Sequence, residues 1–280
     1  MRSFMRLQVM RHLWGLETLT PQLLSRIKDA GYDGVEGMLP PAVDASAYRE
    51  WCQAHGLVCV FQVVTCLGKP GGDVKEHVAS FRAQMELATQ VRPLFVNAHS
   101  GVDCWEAEQA KAFFHEALAI ERDLGVVVAH ETHRGRVLFN PRDTLAMLRA
   151  FPDLKITADF SHWVTVCERF PFDQEAAFDL AIDRSVHIHA RVGHEQGPQV
   201  YDPRAAQWQA HVHAHESLWA RIWQRQAARG FTTFTLTPEF GPCPYETRMP
   251  YTDAPIADMW DVSVWQMQRQ RERFANMWHR

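Results

Sequence analysis

The stretch FTTFTLTPEF, residues 231–240, sorts its side chains by parity. Phe234 and Leu236 fall on one side, and Thr233, Thr235, Thr237 and Glu239 on the other. Side chains alternate across a β-strand, and in an α/β barrel one face meets the helices while the other points inside. The apolar pair therefore faces helices, and the polar set, ending in an acid, faces the barrel interior.

Other apolar runs repeat this parity. In VHIHAR (186–191) Val186 and Ile188 face out, and His187, His189 and Arg191 face in. In LKITADFSH (154–162) Ile156 and Ala158 face out against Thr157 and Asp159. In PLFVNAHS (93–100) Val96 and Ala98 face out against Asn97 and His99. The run VVVAHETHRGR (126–136) is apolar on both faces until its end. Placing Glu131 inward makes Val127 and Ala129 its companions and sends His130 toward the helices.

Further strands are read at RLQVMRHLW near residue 10, DGVEGML at 33 and LVCVFQVV at 57, which brings the total to about eight strand–helix units. The intervening helices carry their own boundary signals. TPQLLSRIKDAGY has Thr20 as N-cap, Pro21 in the first turn and Gly31 as stop, and NPRDTLAMLRAFP repeats the scheme with Asn140 and Pro141. CWEAEQAKAFFHEALAIERDLG gives a longer helix stopped by Gly125. The expected fold is a (β/α)8 TIM barrel, one domain over residues 1–280. A loop insertion is expected at about 192–215, and a C-terminal helix at about 255–278. Ile256, Trp260, Val264, Met267, Phe274 and Trp278 give that helix an apolar stripe, suited to covering the barrel or to a homo-oligomer contact.

At 280 residues the length suits a single barrel. A net charge of -4 with scattered lysines and arginines supplies no field for a phosphate backbone, so nucleic acid is not expected as a partner. Six cysteines without a CxxC fit a reducing compartment, the basic N-terminus shows no continuous apolar h-region or small-residue cleavage site, and no stretch approaches the length of a membrane span, so a cytoplasmic location is expected.

The inward residues at the strand ends converge on one mouth: Glu131, Asp159, His189 and Glu239, with His99 and His162 close by. Three carboxylates and an imidazole on a rigid scaffold suit one divalent metal ion in the Mn, Mg, Co or Zn range, which relieves their mutual repulsion. This order resembles the xylose isomerase-like TIM-barrel superfamily, in particular its sugar phosphate isomerase/epimerase-type members, related to ketose 3-epimerases and hydroxypyruvate isomerases. The resemblance rests on GYDGVEG (31–37), Glu131 in HETH, Asp159 and His162 in ADFSHW, His189 in VHIHA and Glu239 in TPEFGP, and it covers nearly the whole chain.

It implies that Glu131, Asp159, His189 and Glu239 hold one metal ion and that Glu131 and Glu239 double as catalytic acid and base. It also implies that His162 and His187 approach the substrate. The expected substrate is a small carbohydrate-like ketone or aldehyde, isomerised or epimerised through an enediolate. Glu36 sits where many members carry an acid of varying role. Arg191 departs from the common pattern, leaving open a substrate carboxylate or phosphate against an internal pair with Glu36 or another ring carboxylate. His99 is a further candidate for substrate binding. His133, Arg134 and Arg136 stay unassigned, as do His211, His213 and His215. Trp105 and Trp163 are read as a water shield or as packing. Open alternatives are a metal-dependent lyase or dehydratase, an apurinic-site endonuclease and a non-catalytic sugar-binding barrel.

Overall fold

The computed structural model describes residues 5–278 apart from 17, 42 and 70. The termini at 1–4 and 279–280, included in the single-domain expectation, lie outside the described residues. Eight parallel strands close into a barrel in chain order. They are β1 (Arg6–His12), β2 (Gly34–Gly37), β3 (Val58–Val64), β4 (Phe95–His99), β5 (Val128–Glu131), β6 (Ile156–Ala158), β7 (Ser185–His189) and β8 (Thr233–Thr237). Between and after them run α1 (Pro21–Asp29), α2 (Ala45–Ala54), α3 (Val74–Val91), α4 (Ala107–Leu124), α5 (Pro141–Ala150), α6 (Ser161–Cys167), α7 (Glu175–Arg184), α8 (Gln209–Ala228) and α9 (Met259–Trp278). β8 pairs with β1 from Arg6↔Thr233 to Val9↔Leu236, which closes the ring.

The local signals act as expected. Thr20 Oγ1 accepts from the Leu23 amide and Asn140 Oδ1 from the Asp143 amide, each capping a helix whose first residue is proline. Gly125 ends α4 in the left-handed region at φ 64°. No helix among the described residues is long and apolar enough to cross a membrane.

The outward residues of the strands, among them Val9, Val35, Val96, Ile156, Ile188, Phe234 and Leu236, merge with the helices into one large core. Inside, Met10, Val60, Phe95 and Ala129 form a small apolar plug. Polar groups above that plug are thus excluded from water at the bottom and reachable only from the carboxyl ends of the strands.

Val186 in β7 and Val127 beside β5 depart from the simple parity. The β6–β7 register slips between Ile156 and Thr157, so Ile156 pairs with Ser185 and Thr157 with His187. A bulge puts two residues opposite one, and Val186 packs against the interior plug instead of the helices. Val127 lies just before β5 and is half-exposed at 49%, so it does not fill the barrel. His130 does point outward. Its ring sits near Phe81 and Phe114, with Nδ1 2.6 Å from Ser100 Oγ and Nε2 2.9 Å from Glu121 Oε1.

The segment after β7 runs irregularly to a 3-10 turn at Ala206–Trp208, and α8 begins at Gln209. His211, His213 and His215 therefore stand on the first turns of α8. α9 lies on the barrel: Met267 and Phe274 are buried, and Trp260, Val264 and Trp278 pack against the core, while Ile256 precedes the helix and is exposed.

Candidate metal centre

β5, β6, β7 and β8 end side by side, so Glu131, Asp159, His189 and Glu239 are delivered to one point. Each offers a ligand atom, and these atoms all lie within 4.8 Å of one another. None of the four is more than 3% exposed. Together they form a buried His/Glu/Asp group fit for a divalent metal ion.

The donor atoms test that fit. His189 Nε2 donates to Glu36 Oε1 at 2.8 Å, which fixes the ring and leaves Nδ1 toward the ligand set. Nδ1 stands 2.6 Å from Glu239 Oε2 and 3.5 Å from Glu131 Oε2, yet neither contact has hydrogen-bond geometry. Glu131 Oε1 and Glu239 Oε2 likewise have no hydrogen-bond partner. Buried ligand-type atoms crowded together without satisfying one another are the pattern of groups aimed at a shared cation, and the residues fit one.

Charge leads to the same place. Burial raises the Asp159 carboxyl to about 6, helped by Glu239 and Glu131 and opposed by Arg191. Burial also acts to raise Glu131, but His99 and His189 outweigh it and hold that group well below the ordinary range. Arg191 and His189 similarly outweigh burial and lower Glu239. Against its own burial, His189 is pushed well above the usual histidine range by Glu36, Glu239 and Glu131. The two glutamates are thus held ionised by the positive groups around them, while Asp159 takes a proton more readily than a free carboxyl; three buried carboxylates this close are stable only with positive charge among them.

Each glutamate is backed by a histidine. His99 Nε2 donates to Glu131 Oε2 at 2.7 Å, and Asn97 Nδ2 donates to the same oxygen at 2.8 Å. His12, at the end of β1, accepts from the Trp14 amide through Nδ1 and turns Nε2 toward Glu239 Oε1 at 3.5 Å. His12 stands in no recognisable motif and is not among the residues expected at the site, although parity in RLQVMRH puts Met10 and His12 inward. Glu36, paired in register with His12, proves to be the residue that orients His189.

His187 lies beside these groups, with Nδ1 2.8 Å from Thr235 Oγ1 and Nε2 3.0 Å from Thr237 Oγ1 and 3.2 Å from Glu36 Oε2. Thr237 also donates to Glu36. Arg191 engages the ligand set itself, with Nε 3.0 Å from Asp159 Oδ2 and Nη2 2.6 Å from Glu239 Oε2. Its inward carboxylate partners are these two and not Glu36.

His162 is wholly buried, and neither ring nitrogen has a hydrogen bond. Its Nε2 lies 3.6 Å from Asp159 Oδ2. His133 lies between His162 and His99, its ring tilted against theirs with centres 4.0 and 4.4 Å away. Burial lowers His133 to about 3, so the ring is neutral. Arg136 donates to the Thr65 and Gly101 carbonyls and ties loops together outside the centre. Trp163 is core, with its indole donating to the Leu138 carbonyl, and Trp105 donates to the Gly72 carbonyl. Trp14 and Tyr245 lie beside His12, His162 and Arg191, in edge contact with each other at 5.0 Å, from loops far apart in sequence.

Of the three histidines on α8, His215 is a structural anchor. It is wholly buried, and its Nε2 accepts from the Gly193 amide at 3.1 Å. Burial lowers it from 6.5 to about 4. The unfolded chain thus binds a proton that the native ring refuses. Stability from this group is full above pH 6.5 and falls as pH drops from there toward 4, a total loss of about 3 kcal/mol. Urea unfolding of wild type and His215→Gln should show the stability difference between them shrinking by about 2 kcal/mol between pH 7.5 and 5. An unchanged difference would contradict a neutral buried ring.

Three solved structures illustrate the neighbourhood of this fold. A D-tagatose 3-epimerase-like protein superposes with a TM-score of 0.66 at 14% identity, covering 98% of this chain and 99% of the other. Endonuclease IV from Thermus thermophilus gives 0.58 at 17%, covering 97% and 99%. The probable 3-DHS dehydratase AsbF from Bacillus anthracis gives 0.62 at 13%, covering 94% and 98%. At such identity these likenesses speak for the fold, and their reactions differ. No curated protein sequence matches the chain. A family model described as a xylose isomerase-like TIM barrel matches residues 24–220, from α1 into α8 and across the strands that bring Glu131, Asp159 and His189 together. The chain belongs to the xylose isomerase-like TIM-barrel family.

Proposed function

We propose that the protein is a divalent-metal-dependent isomerase or epimerase of a small sugar-like ketone, with Glu131 and Glu239 exchanging protons at the carbon beside the carbonyl. The observation that carries this reading is the pairing of the two glutamates. They come from β5 and β8, meet in one buried group with Asp159 and His189, and each has a histidine at its back. Glu131, Asp159, His189 and Glu239 would hold the ion. When bound, it supplies positive charge where negative charge develops on the substrate oxygens.

The remaining work belongs to the chain. Glu131 and Glu239 are both held ionised, the state a base needs before it takes a proton. A flat intermediate lying between them is reprotonated from the face opposite to the one deprotonated, which inverts the centre. His99 steadies Glu131 through Oε2, and His12 faces Glu239 Oε1. The plug of Met10, Val60, Phe95 and Ala129 closes the site from below.

A panel of ketoses incubated in deuterated water with ion-loaded protein tests the reaction. Solvent deuterium at the carbon beside the carbonyl, with stereochemical scrambling or carbonyl migration, is expected. Loss of water from the substrate would replace this reading with a dehydratase, and incision of abasic DNA with an endonuclease.

A further inference from the structure

We propose that the substrate carries an oxyanion, a carboxylate or a phosphate, and that Arg191 and Arg134 seat it beside Tyr245. This rests on the metal-dependent reading above and specifies the substrate class for the same site. The two guanidinium centres lie 4.9 and 5.0 Å from the centre of the Tyr245 ring. His162, with two unbonded ring nitrogens, has its ring centre 6.5 Å from that of Tyr245. The mouth therefore gathers donors around one aromatic ring.

The count of acceptors falls short. Arg191 is 1% exposed, and its Nη1 has no hydrogen-bond partner, although Nε and Nη2 reach Asp159 and Glu239. A buried guanidinium N–H left unmade is costly, and a guanidinium has donors only. Arg134 makes no ion pair among the described residues. Two guanidinium groups on one ring repel each other unless an anion lies with them. Asp159 and Glu239 are also the groups proposed to serve the ion. Once they do so, the charge on Arg191 is less compensated and the demand for an external anion grows.

The place is built by the fold rather than by chance contact. Tyr245 is braced edge-on by Trp14, and Trp14 in turn lies against Gly241, where an added Cβ would come within 1.9 Å of its ring. The Gly241 amide donates to Gln199 Oε1 at 2.8 Å and its carbonyl accepts from Gln199 Nε2 at 3.1 Å, which fixes that loop. A planar guanidinium held in this way matches the paired oxygens of a carboxylate or phosphate, whereas the hydroxyls of a neutral sugar give Arg134 no counter-charge and leave Arg191 with only the two carboxylates it would share with the ion.

Calorimetric titration of Mn2+-loaded protein with glycolate, inorganic phosphate and D-ribulose tests the seat, after Mn2+ affinity has been measured for each variant. Arg134→Gln is the main variant, because Arg134 is half-buried in a turn and holds no other element; Arg134→Lys retains the charge without the fork. We expect Arg134→Gln to weaken glycolate or phosphate about tenfold, with Mn2+ affinity and D-ribulose binding within about twofold of wild type and Arg134→Lys in between. Whichever of the two anions is tighter identifies the group. Anion affinity unchanged in Arg134→Gln while Mn2+ still binds overturns the seat alone, as does an equal fall for D-ribulose. Failure of wild type to bind Mn2+, Mg2+, Co2+ or Zn2+ overturns the metal reading and the seat with it.

Discussion

Glu239→Gln is expected to lower kcat by about 10³-fold at saturating ion, and Glu131→Gln by a similar factor, the scale on which a positioned acid or base contributes. Gln preserves the shape and one oxygen donor, so an ion at sufficient concentration still binds and the loss reports the proton transfer. The two variants should also differ in kind. If each glutamate serves one face of the substrate carbon, either variant alone retains proton exchange with solvent for one epimer and returns the proton to the same face. Deuterium then enters without inversion, from one epimer in Glu131→Gln and from the other in Glu239→Gln. Proton NMR in deuterated water reads exchange and inversion separately. Inversion at near wild-type rate in either variant would remove that glutamate from the chemistry. Loss of ion binding in both, with turnover restored by excess ion, would reduce them to ligands.

The barrel was legible because four strands alternate cleanly. In β4 Asn97 and His99, and in and after β8 Thr235, Thr237 and Glu239, lie inward as read, Thr233 is exposed at the start of β8, and the large core takes the opposite set. The same rule applied to RLQVMRH would have found His12, since Val9 belongs to the outer core and Met10 to the inner plug. Other features have no local signature. The β7 bulge places Val186 inside without a glycine or proline to announce it, because the slip is set by the pairing with β6. Trp14 and Tyr245 meet only after the barrel closes β1 against β8. Glu36 is an ordinary acid in the sequence, and its importance arises from facing two histidines that arrive much later, 151 and 153 positions along the chain.

Glu36 therefore offers a test of the metal centre that leaves all four proposed ligands in place. Glu36→Gln is expected to weaken ion binding by about 10- to 100-fold, the range seen when a group orienting a metal-bound histidine is lost. The cause is specific. Glu36 Oε1 receives the His189 Nε2 proton at 2.8 Å and thereby presents Nδ1 to the other ligands. A neutral amide accepts the same proton less strongly, so Nδ1 becomes a poorer donor and the ring is freer to turn. The change should spare the fold. The amide is isosteric, and Thr237 and His187 remain as partners for its second arm. Ion affinity follows from competition with a chelator, and independently from melting temperature against ion concentration, because an ion that binds only the native state stabilises it by mass action. The melting curve without ion should move little, while the rise with ion should shift to about 10- to 100-fold higher concentration. An unchanged affinity would mean that His189 is not a ligand through Nδ1. A collapse of the ion-free melting temperature would instead make Glu36 a structural acid, held in place by His187, Thr237 and His189.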